Sequence, residues 1–468
     1  MNVLFAAGEA APFIKTGGLG DVAGSLPKAL CEAGCDTRVI LPLYGRIDEA
    51  WRNQMEYLLY TYVDVAWRHL YCGLFRLEFE GVTYYFVDNE FYFGRGKVYG
   101  ELDDAERFAF FSKAVVSLLP RLDWTPDVVH CNDWQTALIP IWLREFGGFY
   151  KTVFTIHNIE YQGRYAKIVS DDVFGLPEWL YSTGITRFDN DVNLLKGAIY
   201  QADAVSTVSP SYARELLDPF YACGLELAIA DNAYKFRGII NGLDEARYDP
   251  AADPLLAENY SAASPEGKLI CKQALCELLG LGTDYETPII ACVSRLVGHK
   301  GFDLVAGAVD EIVARGAKLV ILGTGDKYFE GIFADAERRY PGRVSASIMY
   351  SEARAMAVYA GSDMFLMPSR SEPCGLSQLI AMRYGSVPIV RAVGGLRDTV
   401  TNYGTENSGG FTFDDYTVRG MLGALDYALQ IWRDPAAWRE LMLGDLRRSF
   451  SWAAPAEEYI KMYEDITR

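Results

Sequence analysis

The sequence predicts an α/β protein built of two doubly wound domains that face a cleft. Three observations lead there. Short β-rich runs alternate with helical patterns along all 468 residues, which is the pattern of parallel sheets flanked by helices. A turn-rich stretch from Asn241-Gly242-Leu243-Asp244 to Asp253-Pro254 separates two such series of similar size. Half of the residues are hydrophobic, and at this length that fills more than one core.

The first strand is the apolar run Val3-Leu4-Phe5-Ala6-Ala7. Lys15-Thr16-Gly17-Gly18-Leu19-Gly20-Asp21 follows it, and Val22, Leu26 and Leu30 then fall at helical spacing. Buried strands are predicted at 37–41, 82–87, 127–130, 151–156 and 204–208 in the first series. In the second series they are predicted at 289–293, 318–322, 364–367 and 387–390. An amphipathic helix closes the chain after Ser451-Trp452. Ligands of doubly wound sheets sit at the carboxyl ends of the strands, so the site is expected in a cleft between the domains.

A formal net charge of −18 argues against nucleic acid or an anionic membrane as partner. It also requires a local basic cluster wherever an anion binds. The nine cysteines are scattered and form no Cys-x-x-Cys pair, which reads as free thiols in a reducing compartment. The chain starts directly in a strand without signal-peptide character, and no apolar run reaches membrane-spanning length. A cytoplasmic location is expected.

The glycine-rich turn at 15–20 exposes backbone N–H groups at the positive end of a helix, beside the Lys15 cation. That suits an anionic ligand such as a nucleotide diphosphate. Gly18-x-Gly20-x-x-Ala23 nominally fits a dinucleotide fingerprint, but no acidic ribose reader follows and there is no Walker A sequence. A tight turn that binds nothing would look the same.

In the second series, Ser294-Arg295-Leu296-Val297-Gly298-His299-Lys300-Gly301 follows a strand. Its two cations would balance a leaving diphosphate; the alternative is a solvated basic loop. Pro368-Ser369-Arg370-Ser371-Glu372-Pro373-Cys374-Gly375-Leu376-Ser377-Gln378 is the densest motif, again between strand and helix. Glu372 at a helix start is either a cap or a functional carboxylate, and the constrained Pro-Cys-Gly surroundings favour function. Cys374 has no His partner and reads as packing. His157, in Thr155-Ile156-His157-Asn158 at a strand end, suits sugar hydroxyls, with a satisfied structural histidine as the alternative. The four histidines have no metal-ligand spacing. Asp189-Asn190-Asp191 reads as a solvated turn rather than a metal site.

With those residues in hand, the chain resembles bacterial glycogen synthases and plant starch synthases over essentially its full length. The resemblance rests on Lys15-Thr16-Gly17-Gly18-Leu19, Thr155-Ile156-His157-Asn158, 206–213, Asn241-Gly242 with Asp244, and Gly323-Thr324-Gly325-Asp326. Glu372-Pro373-Cys374-Gly375-Leu376, Gly394-Gly395-Leu396 before Asp398-Thr399-Val400, and Phe450-Ser451-Trp452 complete the set. It implies two Rossmann-like domains of the B-type glycosyltransferase fold. The first would span 1–240 and be completed by the helix at about 451–468; the second, nucleotide-sugar-binding domain would span 241–450. It implies a retaining transfer of glucose from ADP-glucose to the non-reducing end of an α-1,4-glucan, with no metal and no cofactor.

Under that resemblance Lys15, Arg295 and Lys300 clamp the diphosphate, and Gly17 and Gly18 offer backbone contacts to the donor. Glu372 orients the donor glucose and stabilises its cationic transition state, while His157, with Asn158 beside it, contacts the sugar. Asp21, Asn241 and Tyr350 match positions near the donor, and Cys374, Gly375, Leu376, Ser377 and Gln378 line the same pocket. Asp133, Trp134, Tyr161 and Tyr99 are acceptor-side candidates, the aromatics as stacking platforms.

Departures from the family pattern are Asn132 in a common His-Asp-Trp, His299 in Gln-Lys-Gly, Val393 before Gly-Gly-Leu, and Phe93 for an Asp in the stretch running on to Asp104. Ile380, eight residues after Glu372, excludes the paired glutamates of sucrose-synthase-like transferases. The rival readings are a nucleotide-sugar epimerase on the same fold, a non-catalytic glucan-binding protein, and a transferase using UDP-glucose or another acceptor. A diphosphate clamp argues against the second, because binding glucan alone does not require one.

Overall fold

The computed structural model describes residues 1–468. The chain divides into two compact units, Met1–Gly242 with Trp452–Arg468, and Leu243–Ser451.

The first unit is organised by a nine-stranded sheet. Seven strands run parallel in the order Phe236–Gly238, Ala204–Thr207, Lys151–Ile156, Val128–Asn132, Asn2–Ala6, Asp36–Pro42 and Val82–Asp88. Val3, Leu4, Phe5, Val128, Val129, Val153 and Phe154 are all fully buried, as expected for parallel strands covered on both faces. The sheet then turns antiparallel: Arg68–Phe79 pairs with Val82–Asp88, and Glu56–Val65 forms the edge. This hairpin is absent from the sequence reading. Its two-residue turn, Ala66-Trp67, carries no Gly, Asn or Asp cue, although Thr61, Val63 and Val65 alternate with exposed Tyr60, Tyr62 and Asp64.

The terminal helix Ala453–Thr467 belongs to this first unit. Pro455, Ala456, Tyr459, Met462 and Tyr463 make its buried stripe, spaced at the helical period. The Tyr463 hydroxyl lies 2.8 Å from His130 Nδ1. His130 Nε2 lies 2.6 Å from Thr155 Oγ1, which in turn is 2.6 Å from Ser206 Oγ. Burial lowers the His130 pKa to about 3, so the ring is neutral and bonds on both nitrogens. This buried polar chain ties the last helix to three neighbouring strands. Tyr463→Phe strands one of its groups and is expected to cost about 1–2 kcal/mol, read from the midpoint of urea unfolding.

The second unit carries one six-stranded, all-parallel sheet: Val344–Ser347, Lys318–Leu322, Ile289–Val293, Met364–Met367, Val387–Arg391 and Phe411–Phe413. One core on this sheet gathers Ile290, Leu319, Ile321, Val305, Phe333, Met421 and Leu425. The two outermost strands, 344–347 and 411–413, are short and were not predicted. All nine cysteines are free. No helix is long and apolar enough to cross a membrane.

Candidate functional site

The candidate side chains gather on loops at the carboxyl ends of strands in each unit. In the first unit, the loop after Asn2–Ala6 is organised around a residue the sequence reading passed over. Glu9 is 2 % exposed. Its carboxylate accepts from Thr16 N and Oγ1, both at 2.6 Å, from Gly17 N at 3.2 Å and from Gly20 N at 3.1 Å. Burial raises its pKa and these four donors oppose the rise. Glu9 thus occupies the positive end of the helix Gly18–Glu32.

This changes the expected role of Gly17, whose amide is engaged by Glu9 and is not free for a phosphate in this arrangement. Gly18 remains open, with nothing within 4 Å of where a side chain would begin. Lys15 Nζ pairs with Asp21 Oδ1 at 2.7 Å. A signal for Glu9 existed: it is the lone charge in the otherwise apolar run Ala6-Ala7-Gly8-Glu9-Ala10-Ala11.

Beside this loop, the ends of Val128–Asn132 and Lys151–Ile156 bring Asn132, Asp133 and His157 together. Asn132 Nδ2 donates to Ala6 O at 3.0 Å and approaches His130 O at 3.4 Å. Its Oδ1 is thereby turned to His157 Nε2, at 2.9 Å. His157 is neutral, its pKa lowered to about 3 by burial, so Nε2 carries the proton and Nδ1 is the acceptor. The family departure at Asn132 therefore sets the tautomer of the predicted sugar-binding histidine.

Asp133 has φ 57° and ψ 179°, a strained conformation for any residue but glycine. Its N–H donates to Thr155 O at 3.0 Å, and its Oδ1 accepts from His157 N at 2.7 Å. Burial pushes its carboxyl up to about 7; the amides of His157 and Asn158 pull the other way, and Glu9 adds to the rise. A carboxyl raised on folding binds its proton more tightly in the folded state. The corresponding stability is complete below the usual carboxylate range and is lost as pH rises towards 7. Asp133→Asn is therefore expected to gain stability relative to the parent between pH 5 and pH 8, on the order of 3 kcal/mol, measured by denaturant unfolding at each pH.

The acceptor-side candidates separate. Tyr99 buries its hydroxyl without a partner, 2.8 Å from where a Cβ on Gly8 would lie. Trp134 packs edge-on against Phe108 at 5.1 Å and Tyr165 at 6.1 Å, so it is more a wall than an open platform. Tyr161 is 46 % exposed. Asn158 closes a turn by accepting from Glu160 N at 2.9 Å. Asn241 is buried, and its Oδ1 accepts no hydrogen bond. Asp189 and Asp191 both pair with Arg164, in keeping with a charge-balanced turn.

In the second unit, Lys300 Nζ grips both oxygens of Glu372, at 2.8 and 2.7 Å. Ser369 Oγ donates to Glu372 Oε2 at 3.0 Å. Two glycines allow this. Gly301 has φ 79°, and a Cβ there would lie 2.1 Å from Pro368 O. Gly394 has φ 47°, and a Cβ there would lie 2.0 Å from Glu372 O. The N–H of Gly395 donates to Glu372 O at 3.1 Å, and Arg370 N to His299 O at 2.8 Å. The Gly-Gly-Leu motif is thus a backbone rest for the Glu372 loop.

Arg295 is exposed on the loop after Ile289–Val293. Gln378 is fully buried, and its Nε2 donates to Cys374 O, Gly375 O and Thr399 Oγ1. It braces the loop from behind rather than lining a pocket. Cys374 is 5 % exposed and packs inside, while Gly375, Leu376 and Ser377 are half-buried. Tyr350 is 85 % exposed, away from the Glu372 cluster's hydrogen bonds.

Two doubly wound units with charged loops at the strand ends define a glycosyltransferase of the B-type fold. Residues 2–231 match the starch synthase catalytic domain family and residues 280–441 the glycosyl transferases group 1 family. The chain is 44% identical to glycogen synthase of Clostridium botulinum (strain Alaska E43 / Type E3), with all of both chains covered. It is 43% identical to glycogen synthase of Streptococcus agalactiae serotype Ia, again over both full lengths. The chain belongs to the glycogen and starch synthase family of glycosyltransferases. The catalytic domain of starch synthase IV from Arabidopsis thaliana, solved bound to ADP and acarbose, superposes with a TM-score of 0.92 at 33% identity, covering 100% of this chain and 99% of that one. Sucrose-phosphate synthase from Thermosynechococcus elongatus shares the fold at a TM-score of 0.63 and 17% identity, covering 99% of this chain and 98% of that one.

Proposed function

We propose that this glycosyltransferase moves glucose from ADP-glucose to the non-reducing end of an α-1,4-glucan in the cytoplasm, with retention and without a metal ion or cofactor. The observation that carries the reading is the Lys300–Glu372 pair on a loop whose backbone is pinned by Gly301, Gly394 and Gly395. A diphosphate arriving at Lys300 competes for its ammonium. The pair then opens, leaving a carboxylate to face the positive charge that develops on the sugar as the bond to the leaving group breaks. Arg295, on the same loop as Lys300, adds charge on that diphosphate in place of a metal. Neutral His157, through Nδ1, accepts a hydrogen bond from a sugar hydroxyl. The acceptor's 4-hydroxyl attacks on the face that the diphosphate leaves.

The glycogen synthase relatives and the starch synthase bound to ADP and acarbose support this choice of donor and acceptor. The test is incorporation of labelled glucose into glycogen by the purified chain, with ADP-glucose and UDP-glucose compared and magnesium omitted. Strong incorporation from ADP-glucose alone is expected. Incorporation only from UDP-glucose, or only with magnesium, overturns the corresponding part. Release of an altered sugar nucleotide without any acceptor would identify an epimerase instead.

A further inference from the structure

We propose that Arg391 is a positioning residue for the transfer, and that with Tyr416 it forms a brace holding the Glu372 and Lys300 loops in fixed register. The inference rests on the roles proposed above for Lys300 and Glu372.

The need for a brace follows from the pair itself. At rest, Lys300 and Glu372 hold each other. A diphosphate that takes the Lys300 ammonium removes that tie just when the carboxylate must stay in place. A displacement of about 1 Å at a reacting group lowers the rate on the order of 10²-fold. Each loop therefore has to be fixed by contacts that survive the opening of the pair.

Arg391 ends the strand Val387–Arg391 and is half-buried. Its Nη1 donates to Arg370 O at 2.8 Å and reaches Ser369 O at 3.5 Å. Both carbonyls belong to the loop that carries Glu372. Its Nε donates to Asp414 O at 2.9 Å. The strand Phe411–Phe413 pairs with Val387–Arg391 in a register that sets Phe413 opposite Arg391, so the next residue, Asp414, arrives beside the guanidinium. The Asp414 carboxylate accepts from Arg397 Nη2 at 3.0 Å, and the same nitrogen donates to Ala392 O at 2.6 Å. One planar guanidinium thus ties two loops through their backbones. The single nitrogen of a lysine has no such fork of donors.

Tyr416 completes the brace two residues further on. Its hydroxyl donates to Asp303 Oδ1 at 2.5 Å and lies 3.3 Å from Gly298 O. Gly298 and Asp303 flank Lys300 and Gly301. Burial and the Asp303 carboxylate raise the hydroxyl's pKa, so it keeps its proton and donates at neutral pH. The guanidinium groups of Arg391 and Arg370 lie over the Tyr416 ring, 5.5 and 5.8 Å from its centroid, within reach of a cation–π attraction. The chain of contacts runs from the Glu372 loop through Arg391 to residues 414–416, and through Tyr416 to the Lys300 loop. No link in it uses the Lys300 ammonium or the Glu372 carboxylate, so it persists when the pair opens.

The experiment is steady-state kinetics on ADP-glucose with saturating glycogen for Arg391→Lys, Arg391→Ala and Tyr416→Phe. Guanidinium ion is added to the alanine variant at concentrations far below those that unfold the chain. Arg391→Lys is expected to lower kcat about 10²-fold with KM for ADP-glucose unchanged, because the carboxylate shifts while the diphosphate contacts stay. Arg391→Ala is expected to lose at least as much. It should regain about ten-fold with guanidinium ion and nothing with methylammonium ion, which lacks the planar fork. Tyr416→Phe keeps the ring and releases the Lys300 loop, so its KM for ADP-glucose is expected to rise about five-fold with a smaller change in kcat. Parental kcat in Arg391→Lys overturns the proposal. So does an alanine variant whose urea midpoint falls with its activity and that guanidinium ion does not rescue, because Arg391 would then support the fold alone. Near-parental kcat in Glu372→Gln would instead remove the reading on which the brace rests, whatever the Arg391 variants do.

Discussion

Glu372→Gln is expected to lower turnover by about 10³-fold while leaving the fold intact. The amide keeps the size of the side chain and can still accept from Ser369, so the loop held by Gly394 and Gly395 persists. What is lost is the negative charge that pairs with Lys300 and that the proposed mechanism sets against the developing cation. Freed of its partner, Lys300 remains available to a diphosphate, so KM for ADP-glucose is expected to stay level or fall. Lys300→Ala removes the opposite half of the pair. It is expected to lower kcat by about 10²–10³-fold and to raise KM for the donor. Steady-state kinetics on ADP-glucose with saturating glycogen separate the two variants. Near-parental kcat in either would remove that residue from the chemistry.

The second large effect is expected at Glu9. Glu9→Ala takes away the acceptor shared by Thr16, Gly17 and Gly20. Water can replace it at Thr16 and Gly17, which are exposed, but not at Gly20, which is buried. Stranding that one buried N–H is expected to cost about 2 kcal/mol. The kinetic effect is larger than the stability effect, because the carboxylate also fixes the turn that carries Lys15 and Gly18. A catalytic group displaced by about 1 Å loses on the order of 10²-fold in rate, and kcat/KM for ADP-glucose is expected to fall by that much. Glu9→Gln retains one acceptor oxygen and should fall between the alanine variant and the parent. An alanine variant with parental kcat/KM would show that Glu9 supports the fold and not the site.

How much of this was legible beforehand depends on what kind of contact each feature needs. The central strands were readable because parallel strands buried on both faces are nearly continuous apolar runs, such as Val3-Leu4-Phe5-Ala6 and Lys318-Leu319-Val320-Ile321-Leu322. Edge elements were not. Val344–Ser347 and Phe411–Phe413 are too short to show a period, and the hairpin at 56–79 turns on residues with no turn chemistry. In the site, residue types were readable and partnerships were not. Lys300 and Glu372 lie 72 positions apart, and both were assigned roles with no sign that each would be the other's partner. The family resemblance placed Gln378 in a pocket with Cys374 and Gly375, and its side chain points inward to brace them.

By itself, then, the sequence determined the class of fold, the family and the residue types of the candidate site. These follow from local hydrophobic patterning and from short motifs whose chemistry is carried by residue identity. Only the tertiary structure decided how those groups are charged and aimed. Glu9 blocks the Gly17 amide, Asn132 chooses the tautomer of His157, burial lifts Asp133 to about 7, and the glycine pair at 394–395 seats Glu372. Each depends on desolvation and on hydrogen bonds between residues far apart in sequence. The strength of a buried charge or a buried N–H is set by what surrounds it in space, and no local pattern records that.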